Sequence, residues 1–350
     1  MGYNITSECF ASSILNLNKS INNNLIVFKH RFNLKKVLLY CLFQIVLACV
    51  VIPALVFYGP FSNIRDMWVE SAMTTSSHQF LATLFLPEQK IKNIMDKTNS
   101  IIFGNSNPNL LNFVNHHDNT IELFEVRSKY FVGKVMLIKD PTRVKVGVSR
   151  LLPKEGQTVS QIAQENNAVA AINAGGFLGL ENGSWSATGG VPEGIIIHDG
   201  KIYYSDFVND TIKRDIVGFN SEGKLIVGKF NLKEIKEMDI REAVSFGPPL
   251  IVNGQPMIRN GDGGWGIAPR TAIGQKPDGT VIFLTIDGRA LESVGATLRD
   301  VQDIMLKYGA YNAANLDGGS STTMYYKGRV INNPSNPLGE RTVPTVFMVK

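Results

Sequence analysis

Cysteine is nearly missing from this 350-residue chain: Cys9, Cys41 and Cys49 are the only three, and none follows residue 49. That excludes a disulfide framework for everything downstream, whatever compartment it occupies. Cys41 and Cys49 fall inside an apolar run and read as fillers of a membrane helix, not as a redox pair. Histidine is scarce too, with five residues. The adjacent His116-His117 lacks the spacing of a metal pair, and lone His78 reads as a structural hydrogen-bonder. Charge of either sign is thin: 19% of residues are charged and the net value is +5. No basic stripe interleaved with aromatics stands out, so nucleic acid is not an expected partner. The 44% hydrophobic content suffices for one large domain or two small ones.

What is present begins with Val37–Tyr58, an apolar run whose only strongly polar side chain is Gln44. At 1.5 Å per residue such a run spans a hydrocarbon core of roughly 30 Å. Lys29, His30, Arg31, Lys35 and Lys36 precede it, and Gly59-Pro60-Phe61 follows. The positive-inside bias therefore places the N-terminus in the cytoplasm and the body outside, at the cell membrane. A cleaved signal peptide is the competing reading. The length of the run, its late start and the lack of a nearby small-x-small site favour an uncleaved anchor. The expected organisation is a cytoplasmic tail over 1–36, disordered over its Asn- and Ser-rich residues 1–28, and a transmembrane helix over 37–58 in contact with the bilayer. A helical stalk and linker over 59–120 and an extracellular domain over 121–350 complete it.

In the stalk, Pro87 can open a helix over 88–97 with Ile91, Ile94 and Met95 on one face. Residues 99–120 read as a flexible Asn-rich loop. Beyond Ile121 the pattern turns to β: Phe131–Ile138 and Val144–Val148 read as strands. Thr158–Asn167 reads as a short helix burying Val159, Ile162 and Ala163, and Ala168–Ile172 is a buried run ending at Asn173-Ala174-Gly175-Gly176-Phe177. Thr297 caps the best helix, Leu298–Tyr308, with Asp300 as capping-box partner and Gly309 closing it. Many short strands and few helices argue for an α+β domain, a mixed β-sheet with packed helices.

Asp-Gly and Asn-Gly pairs punctuate the second half and fall into two kinds. Asp199-Gly200, Asn253-Gly254 and Asp278-Gly279 join alternating runs and read as hairpin turns, with Lys327-Gly328 as a similar tip. Asp287-Gly288 and Asp317-Gly318-Gly319-Ser320-Ser321 instead follow apolar approaches and lead into arginine or hydroxyl residues. Taken alone, each is as readily a tight turn. A carboxylate at a strand end ahead of a glycine loop also suits a reaction site, and successive uncovered N–H groups can cradle an anion. The order strand, Asp loop, helix, strand, Asp loop can bring Asp287 and Asp317 to one end of adjacent strands. Arg270 beside Thr271 adds a planar fork that can hold phosphate bidentately.

Six segments then occur in order: Asn173–Phe177, Phe246–Gly254, Pro269–Gly274, Asp287-Gly288-Arg289, Gly295–Leu298 and Asn315–Ser320. Together they resemble the phosphodiester glycosidase (NAGPA-type) domain family over residues 125–350, with two glycines after Asp317 where that family commonly has three. The stalk segments Ala72–Thr75 and His78–Thr83 are similar to those of membrane-anchored bacterial members, often labelled exopolysaccharide biosynthesis proteins. The resemblance implies hydrolysis of a sugar-1-phosphodiester or phosphorylated glycan at the glycosidic bond. Because phosphate leaves readily, such a site needs charge stabilisation and a carboxylate more than a strong acid. Asp317, Asp287 and Arg270 are the implied catalytic residues. Asn173, Gly175, Gly176, Glu193, Thr271, Arg289, Glu292, Gly318, Gly319, Ser320, Ser321 and Arg341 are the implied substrate contacts, with Glu193 or Glu292 available as a second carboxyl. No cofactor is required; a divalent cation at Asp287 and Asp317 stays open. The expected function is a membrane-anchored extracellular hydrolase of cell-envelope glycans or exopolysaccharide. The alternatives are a non-catalytic module that binds anionic glycans and a metal-dependent phosphodiesterase.

Overall fold

The computed structural model of the chain describes residues 34–75, 78–98, 101–178 and 188–350. The tail expected over residues 1–28 lies outside them. The chain divides into two compact units, Met1–Ser62 and Asn63–Lys350. The first contains helix α1 (Leu34–Tyr58), with Pro53 inside it. By length and composition α1 can cross a membrane.

The second unit starts along α2 (Ser62–Met73), followed by α3 (Phe80–Thr83) and α4 (Glu88–Thr98). Ile91 and Ile94 are buried on one face of α4, as their spacing predicts. The described part of the expected stalk and loop packs onto the domain. Ser71 Oγ accepts the Ile267 N–H at 3.2 Å, and the Thr74 hydroxyl donates to the Trp265 carbonyl at 3.5 Å. Ile101 forms a bridge with Ile258. Ser106 exchanges two 2.9 Å bonds with the Val227 backbone, while Asn115 and His117 both bond the Asp140 carboxylate. The polarity of residues 101–120 therefore reflects specific hydrogen bonds to the domain, not the free loop expected.

The strands among the described residues form three sheets and are numbered in chain order. The first runs β1 (Ile121–Arg127), β2 (Val132–Ile138), β13 (Val281–Ile286), β12 (Arg270–Gln275), β14 (Asn312–Leu316), β10 (Pro249–Val252), β11 (Gln255–Pro256). The second is β16 (Arg329–Val330), β15 (Met324–Tyr326), β4 (Ala170–Asn173), β17 (Thr345–Val349), β3 (Val144–Val148). The third is β6 (Lys201–Ser205), β5 (Ile195–His198), β9 (Ile240–Ser245), β7 (Arg214–Asn220), β8 (Leu225–Phe230). With helices packed on these sheets, the architecture is α+β.

Residues of all three sheets share one apolar core, where Phe219 of β7 meets Phe347 of β17 edge to face at 6.0 Å. Strands β12, β13 and β14 are buried along their whole length, and β13 accordingly reads as a near-continuous apolar run instead of an alternating one. Helix α5 (Val159–Glu165) covers the second sheet and α6 (Leu232–Glu237) the third. Helix α7 (Leu298–Lys307) packs Leu298, Val301 and Met305 on the first, started by the expected Thr297–Asp300 capping box. Asp199-Gly200, Asn253-Gly254 and Lys327-Gly328 have positive φ at both residues, the geometry of two-residue hairpins.

The register of the first sheet positions the site. Strands β13 and β14 both pair antiparallel with β12, so they run the same way and end at the same edge. Asp287 and Asp317 leave the sheet there, separated by β12 and not on adjacent strands as expected. Two strand spacings put their backbones about 9.5 Å apart.

Candidate active site

Pro269, just ahead of β12, is held between the two Asp-Gly loops. A Cβ on Gly288 would come within 2.9 Å of Pro269 Cδ, and one on Gly318 within 2.8 Å of the Pro269 carbonyl oxygen. Only residues without a Cβ let both loops close on this edge. That same carbonyl accepts the Gly319 N–H at 2.9 Å. Gly319–Ser321 then forms a 3-10 turn in which the Ser321 and Thr322 N–H groups donate to Gly318 and Gly319 carbonyls. Two amides of the expected anion nest, those of Gly319 and Ser321, are thus spent inside the loop, together with that of Thr322.

Asp317 is fixed through its backbone. Its N–H donates to the Ala174 carbonyl at 3.0 Å, and its carbonyl accepts from Asn173 Nδ2. The residue retains some exposure, but its Oδ2 is sealed from solvent and unpaired among the described residues. Burial pushes the carboxyl up to about 6, with Ser321, the Arg341 charge and the Gly318 amide pulling the other way. Ser321 Oγ faces the carboxyl without reaching full hydrogen-bond geometry, and it too is unpaired. So are Asn315 Oδ1 and the Thr322 and Thr323 hydroxyls. A folded interior satisfies nearly all its buried polar atoms, so a run of unmet ones in a single loop marks a place for water or ligand.

Two arginines cover this loop. Arg341 donates from Nη1 to Ser320 Oγ at 3.0 Å and lies over the Phe177 ring at 4.8 Å. Arg289, at φ +59, brings Nη2 to 3.3 Å from where a Gly319 Cβ would stand. Desolvation, followed by the Arg341 charge, holds its guanidinium below the usual arginine range although the residue as a whole is exposed. Neither makes an ion pair with a carboxylate among the described residues. Two guanidinium forks without an ion-pair partner among the described residues, set against a Gly-Ser turn, have a donor arrangement that suits an oxyanion.

Several expected contacts have other work. Arg270 is buried and donates from Nε to the Ala296 carbonyl (3.0 Å) and from Nη2 to those of Trp265 (2.9 Å) and Gly266 (2.7 Å). Burial lowers it to about 10, and it clamps loops together where a phosphate ligand was expected. Asn173 is fully buried; besides its bond to Asp317 it accepts from the Thr271 hydroxyl at 2.8 Å and the Thr323 N–H at 3.1 Å. With both polar ends of its amide engaged and its surface buried, it ties the Asp317 loop to Thr271 and offers no free polar end where a sugar contact was expected. Gly175 is buried, its N–H bonded to Thr345 Oγ1 at 3.0 Å. Gly176 and Glu193 are joined by a 3.0 Å backbone bond, with Glu193 exposed. Glu292 sits exposed at the tip of the turn between Ala290 and Ser293.

Asp287 Oδ1 accepts from Asn332 Nδ2 and the Asn333 N–H, both at 3.0 Å. Burial raises its carboxyl, against these two bonds and the charge of Lys134. Asn332 also donates to the Thr322 carbonyl at 3.1 Å and accepts the Met324 N–H at 2.7 Å, tying the two Asp loops together. Neither Asn332 nor Phe177 was named as a site residue from sequence: a paired Asn-Asn in a loop carries no distinctive spacing, and Phe177 entered only as the end of the Asn173–Phe177 segment. A divalent cation fits this site poorly, since Arg289 and Arg341 make the field beside Asp317 positive and Asp287 is engaged with amide donors. The three-residue cluster of His198, Asp199 and Glu242, whose ligand atoms lie close enough to share an ion, has both its carboxylates bridged by Lys145 Nζ at 3.3 and 3.2 Å.

Comparison with known proteins bears on this arrangement. The chain is 32% identical over 200 residues to the SPbeta prophage-derived uncharacterized protein YomE of Bacillus subtilis, covering 54% of this chain and 29% of that protein. It is 37% identical over 70 residues to N-acetylglucosamine-1-phosphodiester alpha-N-acetylglucosaminidase of Bos taurus, covering 20% of this chain and 13% of the relative. The chain thus spans less than a third of the length of these curated relatives. The solved catalytic domain of the zebrafish enzyme of that name, auto-inhibited by its pro-peptide, shares the fold. Its TM-score is 0.55 at 24% identity, covering 66% of this chain and 82% of that one. The family model described as phosphodiester glycosidase matches residues 166–350, just over half the chain and including Asp287, Arg289, Asp317 and Arg341. On that match, the chain belongs to the phosphodiester glycosidase family.

Proposed function

We propose that this chain hydrolyses the glycosidic C–O bond of sugar-1-phosphodiesters, releasing a sugar and a phosphomonoester. One observation carries the reading: the Asp317 carboxyl, raised to about 6, faces a turn covered by Arg341 and Arg289, neither neutralised by an ion pair among the described residues. The arginines and Ser320 hold the phosphodiester and stabilise the charge that gathers on the departing oxygen. A leaving group so stabilised needs little help from an acid, so one carboxylate suffices for the carbon side. At neutral pH Asp317 is ionised and attracts a proton more strongly than an ordinary aspartate, which suits a base acting on water. Asp287, two strands away, is the second carboxyl.

Helix α1 supports anchoring in a membrane, with the basic residues before it on the cytoplasmic side and the catalytic unit outside. Such a placement suits glycans of the cell envelope or exopolysaccharide as substrates. The test is hydrolysis of a panel of sugar-1-phosphodiesters by the full chain in detergent. Release of reducing sugar, lost in Asp317→Asn, is expected. Binding of these compounds without turnover would identify a glycan-binding module instead.

A further inference from the structure

The turns around the two Asp loops carry apolar side chains into solvent. Between β1 and β2 the chain reverses through residues 128–131, closed by the Ser128 N–H to the Phe131 carbonyl at 2.9 Å, and Tyr130 there is 59% exposed. The turn after Asp287 stands beside it, with the Val294 N–H donating to the Tyr130 carbonyl at 2.8 Å. Val294 is 52% exposed, and Leu291 at the tip is fully exposed. A third turn reaches the Asp317 loop from the C-terminal side, where the Ser335 hydroxyl donates to the Gly319 carbonyl at 3.5 Å. There Leu338 is 93% exposed, next to a Gly339 N–H that donates to the Asn336 carbonyl at 3.0 Å. Single exposed apolar residues are ordinary on a protein surface. Four of them on three turns around one pair of arginines are not scattered.

The bases of these turns are cationic. Arg289 lies two residues before Leu291, and Arg341 three residues after Leu338. Lys129 Nζ sits 5.4 Å from the centre of the Tyr130 ring. Of the nearby acids, Glu125 is held by Arg127 and Lys134 at 2.7 Å each, and Glu340 accepts the Ser160 N–H at 2.9 Å; Glu292 is exposed at the Leu291 tip. Aliphatic tips above a cationic base repeat the order of groups at a lipid surface, where acyl chains lie inward of the anionic phosphodiester. Two or three residues span at most about 7–11 Å, and an interfacial segment sinks its apolar face about 5–10 Å. A carbohydrate would need polar groups or a ring to stack on, and leucine and valine supply neither. The chain also brings its own bilayer, since α1 has the length and composition to cross one.

We propose that Tyr130, Leu291, Val294 and Leu338 form a lipid-docking rim, and that the phosphodiester seated by Arg289 and Arg341 joins the sugar to a lipid alcohol. The substrate half of this proposal rests on the reading of the Asp317 loop as the reaction centre; the rim does not. With the tips among acyl chains, the two arginines meet phosphate at headgroup depth. Hydrolysis then adds the hydroxyl of water to the anomeric carbon, with Asp317 taking its proton. The lipid keeps the phosphate as a monoester, which receives the electron pair of the broken C–O bond.

The full chain reconstituted in vesicles of phosphatidylcholine and phosphatidylglycerol in equal parts tests the rim. In single variants, Leu291→Trp and Leu338→Trp should be quenched by lipids brominated on their acyl chains, beyond the quenching of the unaltered chain. Ile202→Trp, an exposed position on β6 of the third sheet, should add none. The substrate is tested with the hexadecyl and methyl diesters of whichever sugar-1-phosphate in the panel above is hydrolysed best. The hexadecyl ester, presented in the vesicles, should have a KM about tenfold or more below that of the methyl ester. Leu291→Ser combined with Leu338→Ser should raise the hexadecyl KM about fivefold or more and leave methyl-ester kinetics within about twofold. Quenching at neither tip, as expected of a rim covered by a protein partner or a second copy, overturns the rim. Equal KM for the two esters, or a hexadecyl KM unmoved by the paired variant, overturns the lipid substrate; methyl-ester hydrolysis in that case leaves the proposed activity standing. No hydrolysis of any panel compound removes the activity and the lipid substrate together, while quenching at the tips still supports the rim.

Discussion

Replacing Asp317 by Asn tests whether this carboxyl is held in a place hostile to its charge. Burial lifts it from 3.8 to about 6. At about 1.4 kcal/mol per unit, ionising it in the fold costs about 3 kcal/mol relative to the unfolded chain. Because the folded value is the higher one, the stability linked to this proton is fully present below about 3.8 and is lost as pH rises through about 6. Asparagine never ionises, so it resembles the protonated state at every pH. The variant should match the unaltered protein near pH 4 and exceed it near pH 7.5 by about 2–3 kcal/mol, or roughly 5 °C or more in Tm. The assay is thermal unfolding of both full chains in detergent across that range, followed by tryptophan fluorescence. Taking the difference between the two proteins cancels every other titrating group. A variant no more stable at pH 7.5, or a difference that does not vary with pH, would refute the argument.

Arg341→Ala should raise KM for a sugar-1-phosphodiester about tenfold or more, with Arg341→Lys recovering part of the loss, since lysine restores the charge but not the fork; steady-state kinetics check this. Gly318→Ala should lower stability by about 1–3 kcal/mol, because its Cβ would sit 2.8 Å from the Pro269 carbonyl oxygen; denaturant titration reads it. Asn173→Ala should cost about 2–4 kcal/mol by stranding Thr271, the Thr323 N–H and the Asp317 carbonyl, and should reduce turnover without direct contact to substrate. With Asp317 acting ionised, kcat/KM should climb about tenfold per pH unit below about 6 and level off above it, as a pH–rate profile would show.

The sequence made the edges of this site legible and its interior much less so. Hairpins such as Asn253-Gly254 and the capped helix at Thr297 are local, and the residues that specify them sit within a few positions of one another. The same holds for separating Asp287 and Asp317 from hairpin tips, since the arginine or hydroxyl residues after each aspartate are visible in the chain. What the sequence did not disclose was competition for hydrogen bonds. Arg270 reads as a phosphate ligand until the carbonyls of Trp265, Gly266 and Ala296 are found around it. Asn173 reads as a sugar contact until Thr271 and Thr323, far away in the chain, take its oxygen. The placement of β12 between β13 and β14 was equally non-local, because sheet order depends on pairing partners rather than on any one strand's pattern. Residues 101–120 show the reverse case, where an apparently featureless polar stretch is polar because its side chains bond the domain.

The central claim is cleavage at carbon rather than phosphorus, and hydrolysis in ¹⁸O-labelled water reads the position of the broken bond. A sugar-1-phosphodiester hydrolysed by the full chain and quenched early should yield a phosphomonoester free of label, the solvent oxygen having entered at the anomeric carbon. Label in the phosphate would mean attack at phosphorus, and would contradict the proposed roles of Asp317, Arg289 and Arg341.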